Sequence, residues 1–240
     1  MAADRPRRGG AQRIPRPADA RPGTAAPWLE LPEADRHIDL ARVRAAFVDE
    51  PQRRPRPARI EGGPETRRAA VLAPLYDHEG EAWVVLTRRA QHLRAHQGEV
   101  SFPGGRRDGD EPLVATALRE AEEEIRLDPD SVEVIGELDH LTTAISSVAI
   151  APFVGALPGV PTDLRPADAE VERILHVPMS ELLADGVFHE EIWRLGERTR
   201  PMWFFELDDD TVWGATAALL RQLLGRVLGL GPDSWARPGW

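Results

Sequence analysis

The stretch GRRDGDEPLVATALREAEEEIRL, from Gly105 to Leu127, constrains this chain more than any other. Glu120, Glu123 and Glu124 stand at i, i+3 and i+4, so on a helix they share one face. At about 100° per residue, Val114, Ala117, Leu118, Ala121 and Ile125 form a separate apolar stripe. The spacing predicts a helix that starts near Pro112, a residue suited to a first helical turn. One side packs on a core while three acids point elsewhere together. Like charges this close destabilise an isolated helix by roughly 0.2–0.5 kcal/mol per pair. A divalent cation removes that repulsion, and hard cations such as Mg²⁺ choose carboxylate oxygens.

A lone run of glutamates is most often a solvated helix face. This one comes with fixed company: Gly105, five residues, Glu111, seven residues, Arg119-Glu120, an aliphatic slot at Ala121, any residue at Glu122, then Glu123-Glu124. That pattern resembles the Nudix box. The resemblance implies an α/β/α sandwich with a mixed β-sheet. It also implies a hydrolase of nucleoside diphosphates linked to another group, with Mg²⁺ or Mn²⁺ as cofactor. One position departs: the late glycine of the box is Arg126. Glycine suits a left-handed helix end, and arginine adopts it less easily. The change follows all three acids, so it bears on the helix exit rather than on them.

Upstream, Leu86, Thr87, Arg89, Ala90, Arg94, Gly98, Phe102, Pro103, Gly104 and Gly105 form a long gapped pattern. It resembles the signature of coenzyme A diphosphatases, which split coenzyme A into 3′,5′-ADP and 4′-phosphopantetheine. The substrate implied is thus a small nucleoside diphosphate of coenzyme A type. A Nudix hydrolase of ADP-ribose or NADH, and a non-catalytic Nudix-fold binding module, are the alternatives. Arginine recognises phosphate through a planar fork of donors, so Arg89 and Arg94 are candidate substrate contacts. Gly104 and Gly105 allow close backbone approach. His92 and His96 share the i, i+4 spacing of a helical metal pair, but the nearby Gly98 makes a loop the better reading.

Composition excludes other chemistries. The chain has 240 residues, with 40 acidic against 30 basic and a net charge of −10, which disfavours nucleic acid as a partner. Cysteine is absent, so thiolate metal sites and cysteine nucleophiles are impossible. No apolar run approaches the roughly 20 residues that span a bilayer, so no membrane association is expected and a cytoplasmic placement follows. A homodimer is compatible with the sequence.

The first 27 residues are rich in Arg, Pro, Gly and Ala with almost no large apolar side chain, so residues 1–35 are expected to form a disordered tail. Residues 36–65 are expected to hold a short helix and an Arg/Pro linker, 66–230 the hydrolase domain, and 231–240 a C-terminal tail. Strands are predicted over 69–76, 82–87, 132–138, 148–157 and 169–177, and a hairpin over 191–195 and 202–207. A helix follows over 211–228, with Trp213 packed in the core.

The resemblance assigns Glu120, Glu123 and Glu124 as metal ligands and places Arg119 and Glu120 in the catalytic set with Glu123. Arg119 can pair with Glu123 four residues on, and Glu111 can support the loop. A further acid from a later segment is implied, matching Glu170 in the run Ala169-Glu170-Val171-Glu172. On a strand Glu170 and Glu172 face the same side, so spacing alone leaves Glu170, Glu172 and Glu120 open as general base; Glu170 is the choice carried forward.

Overall fold

Alternation along one long strand sets the layers. The computed structural model describes residues 8–48, 55–57, 68–93, 97–142 and 148–231. In chain order the elements are β1 (Arg21–Pro22), α1 (Leu40–Val48), β2 (Arg68–His78), β3 (Glu81–Arg89), β4 (Val100–Ser101), β5 (Gly104–Arg106) and α2 (Leu113–Ile125). There follow β6 (Glu133–Glu137), β7 (Leu141–Thr142), β8 (Ala149–Ala156), β9 (Val171–Pro178) and α3 (Met179–Leu183). The last are β10 (Phe188–Leu195), β11 (Arg198–Glu206), β12 (Thr211–Trp213) and α4 (Gly214–Val227). In β2, Ala70, Leu72 and Tyr76 pack on one side with Ala117, Ala121 and Ile125 of α2. Ala73 and Leu75 face the other way, with Leu219, Leu220 and Leu223 of α4. That is the period of two of a strand buried on both faces.

The main sheet runs β4-β3-β2-β8-β6, with β5 on β2, β7 on β8 and β9 on β3. β2 and β8 are parallel, whereas β3 and β9 are antiparallel. The mixed sheet between helices agrees with the α/β/α architecture expected. A second, separate antiparallel sheet runs β1-β10-β11-β12. Thr211 to Trp213, expected to open the last helix, instead forms β12 against β11, with Trp213↔Phe204 in register. β-branched Thr211 and Val212 favour that extended form. Trp213 is only half-buried and packs beside Trp193 at 6.1 Å. Among the described residues no helix is long and apolar enough to cross a membrane.

The expected disordered tail is overturned for residues 8–35. Arg21 and Pro22 pair with the edge of β10. Gly9 donates its amide to Leu207 O at 2.8 Å, and Gly23 donates to Glu190 O at 2.7 Å. Trp28 is fully buried, 5.0 Å edge-on to Phe188 and 6.1 Å from Phe205. The composition argument fails because it asks the segment to build its own core; this one borrows a core from β10 and β11. Helix α1 forms as expected, and residues 1–7 lie outside the described residues. Trp28→Ala is expected to cost about 3–5 kcal/mol of stability, read as a lowered midpoint in chemical denaturation. A change below about 1 kcal/mol would return the segment to a loosely held tail.

Candidate active site

The glycine pair and the helix acids meet where β5 touches β2. A side chain at Gly104 would strike Ala70 O at 2.4 Å, and one at Gly105 would strike the Glu120 carboxylate at 2.3 Å. Bare backbone is required at Gly104, where the neighbour is main chain, whereas a side chain at Gly105 would push the Glu120 carboxylate aside. Gly104 donates its amide to Glu124 Oε2 at 3.2 Å.

Arg119 organises the acids on the outer side. Its Nη1 donates to Glu123 Oε2 at 3.0 Å and approaches Glu120 Oε1 at 3.1 Å. Its Nη2 donates to Glu111 Oε1 at 3.0 Å and to Arg106 O at 3.1 Å. Glu111 also accepts from Asp108 N and Thr116 Oγ1. These donors, Arg119 first, hold the Glu111 carboxyl down at about 2. Glu111 is thus a brace for the loop and for Arg119, and Arg119 is kept charged in return.

The inner acids have the opposite electrostatics. Burial raises Glu120, against the lowering effect of Arg119. Burial pushes Glu124 up to about 7, opposed by the Gly104 amide and by Arg89, and reinforced by Glu120 and Glu170. Arg89, at the end of β3, lies 3.7 Å from Glu124 Oε1 and 3.8 Å from Glu170 Oε2. Both distances are long for hydrogen bonds, so Arg89 neutralises the pair without being locked to either. Arg94 and His96 lie outside the described residues. His92 is an exposed loop residue 3.1 Å from Ala169 O.

The helix end delivers the later acid. The last carbonyls of a helix need outside donors. Here Arg165 N–H bonds Ile125 O at 3.0 Å and Ala167 N–H bonds Glu124 O at 2.8 Å. Ala167 O then accepts from Glu170 N, and Glu170 O accepts from Ala90 N at 2.8 Å. Glu170 sits in this turn rather than on the predicted strand, which begins at Val171. Glu172 parts company with it: its carboxylate pairs with Arg88 Nη2 at 3.2 Å. The two acids, which alternation along one strand put on the same side, are thus separated. A strand register extended one turn too far created the apparent equivalence.

Mutually repelling carboxylates in a partly dry site are a donor set that suits a hard divalent cation. Among the described residues no three acid or imidazole groups are closed into a ready cage, and Arg119 and Arg89 hold contacts to these acids.

The NUDIX domain family matches residues 66–195. The chain belongs to the Nudix family. Its members use divalent metal ions, and as a Nudix hydrolase this protein is an enzyme. It is 39% identical over 164 residues to "Uncharacterized Nudix hydrolase NudL" of Photorhabdus laumondii, covering 67% of this chain and 85% of that protein. The protein of the same name from Escherichia coli O1:K1 / APEC is 38% identical over 161 residues, covering 65% of this chain and 81% of that protein. A MutT/nudix family protein from Enterococcus faecalis aligns over 80% of this chain and 75% of its own at a TM-score of 0.49 and 13% identity. The family assignment rests on the domain match and the two sequence relatives.

The network around Asp210, which also involves Arg88 and Gln12, carried no sequence signal. The partners lie 122 and 198 residues from Asp210, and no spacing rule links them.

Glu124 sets a pH dependence in the metal-free protein. The unfolded chain ionises near 4.5 and the folded one near 7. Below both values the group is neutral in both states and imposes no penalty. As pH rises from about 4.5 to about 7 the unfolded state is favoured, and native stability falls. Glu124→Gln is expected to raise Tm of metal-free protein at about pH 8 by several degrees and to flatten this slope. An unchanged slope would remove Glu124 as its source.

Proposed function

We propose that this Nudix hydrolase cleaves the diphosphate of coenzyme A or its acyl derivatives, giving 3′,5′-ADP and 4′-phosphopantetheine or its acyl form. The observation that carries the chemistry is the meeting of Glu124 and Glu170 at Arg89, beside Glu120, which Arg119 holds on the other side. Glu170 raises the pKa of both box acids, so their charges share one site. The pattern from Leu86 to Gly105 supports the substrate.

Glu120, Glu123 and Glu124 would hold Mg²⁺ or Mn²⁺, which supplies charge neutralisation at the phosphate oxygens and a more acidic water. The chain's own residues do the rest. Arg119 fixes the rotamers of Glu120 and Glu123, and Glu111 fixes Arg119. Arg89, held only at 3.7–3.8 Å, is able to turn toward an incoming phosphate. Arg94 is a second phosphate contact on the sequence pattern alone. Gly104 and Gly105 keep the floor open for the diphosphate. Glu170 takes the proton of the attacking water as its oxygen bonds to phosphorus. The phosphoanhydride P–O bond breaks, and the bridging oxygen leaves with the other phosphate.

Product analysis on coenzyme A, acyl-coenzyme A, ADP-ribose, NADH and nucleoside triphosphates tests the substrate. Coenzyme A should yield 3′,5′-ADP, with turnover lost in EDTA and restored by Mg²⁺ or Mn²⁺. Rapid cleavage of ADP-ribose with coenzyme A untouched would overturn the substrate, and full activity after rigorous metal removal would overturn the cation's role.

The acid assignment has its own comparison. Glu170→Gln should lower kcat by about 10²–10⁴-fold at saturating substrate and Mg²⁺, while Glu172→Gln keeps kcat within about tenfold. The reverse order would move the role to Glu172, and normal turnover in both would return it to Glu120.

A further inference from the structure

Arg88 and Arg89 are consecutive, yet their side chains part to opposite faces of the sheet. Arg89 goes to Glu124 and Glu170. Arg88 goes to Asp210, with Nη1 at 3.2 Å from Oδ1 and 3.4 Å from Oδ2, and to Glu172 through Nη2. Asp210 has no solvent exposure at all, and its Oδ1 accepts a second bond from Gln12 Nε2 at 3.0 Å. Gln12 Oε1 in turn accepts from Thr211 N at 3.2 Å, and Gly10 N donates to Thr211 Oγ1 at 3.0 Å. The N-terminal segment thus reaches behind the site and closes on a buried carboxylate.

The place where this carboxylate acts is an irregularity in the β3–β9 ladder. Arg88 faces Arg173 and Arg89 faces Val171, so Glu172 is an extra residue in the register. A bulge leaves one residue unpaired and re-aims its neighbours, and such bulges recur beside active sites. Here the unpaired residue is tied down by the same Arg88 that Asp210 holds. Immediately beyond the bulge stand Arg89 on one strand and Glu170 in the turn that leads into the other, joined through Ala90 N to Glu170 O.

We propose that Asp210, backed by Gln12, is a positioning residue for catalysis: by holding Arg88 it fixes the β3–β9 bulge and with it the places of Arg89 and Glu170. The inference rests on the assignment of Arg89 and Glu170 to the site made above. It gives the N-terminal segment, which lies outside the matched NUDIX region, a part in turnover as well as in stability. A charge removed at Asp210 leaves Arg88 with only the partly exposed Glu172, and the bulge gains freedom while the acids of α2 stay in place. Displacements on the order of 1 Å at a reacting group cost as much as about 10²-fold in rate.

The test uses the full-length enzyme with Mg²⁺, assayed on coenzyme A and on ADP-ribose well below Tm. Asp210→Asn is expected to lower kcat about tenfold while KM moves less than about twofold. Gln12→Ala should lower kcat in the same direction by less, and should add almost nothing in the Asp210→Asn background, since contacts in one network are not additive. Arg88→Lys should fall between, because a point charge cannot bridge Asp210 and Glu172 as a guanidinium fork does. A lowered Tm with unchanged kcat, or effects of Gln12→Ala and Asp210→Asn that multiply in full, would overturn the proposal. If Asp210→Asn does not fold, unchanged kcat in both Gln12→Ala and Arg88→Lys overturns it equally. Normal turnover in Glu170→Gln would instead sink the acid assignment, and the kcat of Asp210→Asn would still decide whether the bulge is held from behind.

Discussion

Three acids on one helix face, two of them, Glu120 and Glu124, withdrawn from water, set the terms for everything around them. Their repulsion grows as the dielectric falls, so each must be braced or neutralised. Arg119 braces the outer side and is itself braced by Glu111, whose carboxyl lies near 2. Arg89 neutralises the inner side more loosely, between Glu124 and Glu170. The two arginines therefore differ in kind. Arg119 has hydrogen bonds to three different acceptors and is part of the frame. Arg89 has two long ion pairs and is free to exchange them for another anion.

The sheet serves this arrangement at both ends of the argument. Buried on both faces, β2 and β3 cannot shift register without turning apolar residues out of one core and into another. That rigidity fixes the glycine pair against the acids and fixes the ends of β3 and β9 close to α2. The exposed turn carrying Glu170 has no core of its own. Its backbone is located by bonds to helix carbonyls on one side and to Ala90 N on the other. An exposed acid is thus positioned by groups that belong to other elements.

What the sequence made legible follows from range. The box helix, its acid face and its apolar stripe are local and periodic, so α2 spans Leu113–Ile125 close to expectation. Long strands with β-branched or aliphatic alternation were likewise readable. Glu170 was legible as a residue and misplaced as geometry, because period-two reasoning continues a strand until something stops it. The stop here is a set of helix-capping bonds 40 or so positions away in chain, which local pattern does not carry. The N-terminal segment was illegible for a related reason. One tryptophan at position 28 lies just past the stretch whose composition argues for disorder. Its burial depends on Phe188 and Phe205, partners that only the fold brings near.

Arg126 shows how such distant requirements override local preference. It holds φ 60° and ψ 27°, the left-handed conformation, which costs a side-chain-bearing residue roughly 1–2 kcal/mol. Its amide bonds Glu122 O at 2.9 Å and the Leu127 amide reaches Ala121 O at 3.4 Å, closing a left-handed helix cap. The next residue, Leu127, is then buried with Ala121, Ile125 and Leu164. Extending the helix one more residue would spare Arg126 its strain. It would also swing Leu127 out of that cluster and redirect the chain that must leave Ile125 O and Glu124 O open to Arg165 and Ala167. Burial of a leucine is worth about 1.5–3 kcal/mol, and the two capping bonds add to it. The balance favours the strained turn with arginine in it. The helix exit is thus held in the glycine-like geometry without the glycine, because the position of Glu170 depends on where that exit points.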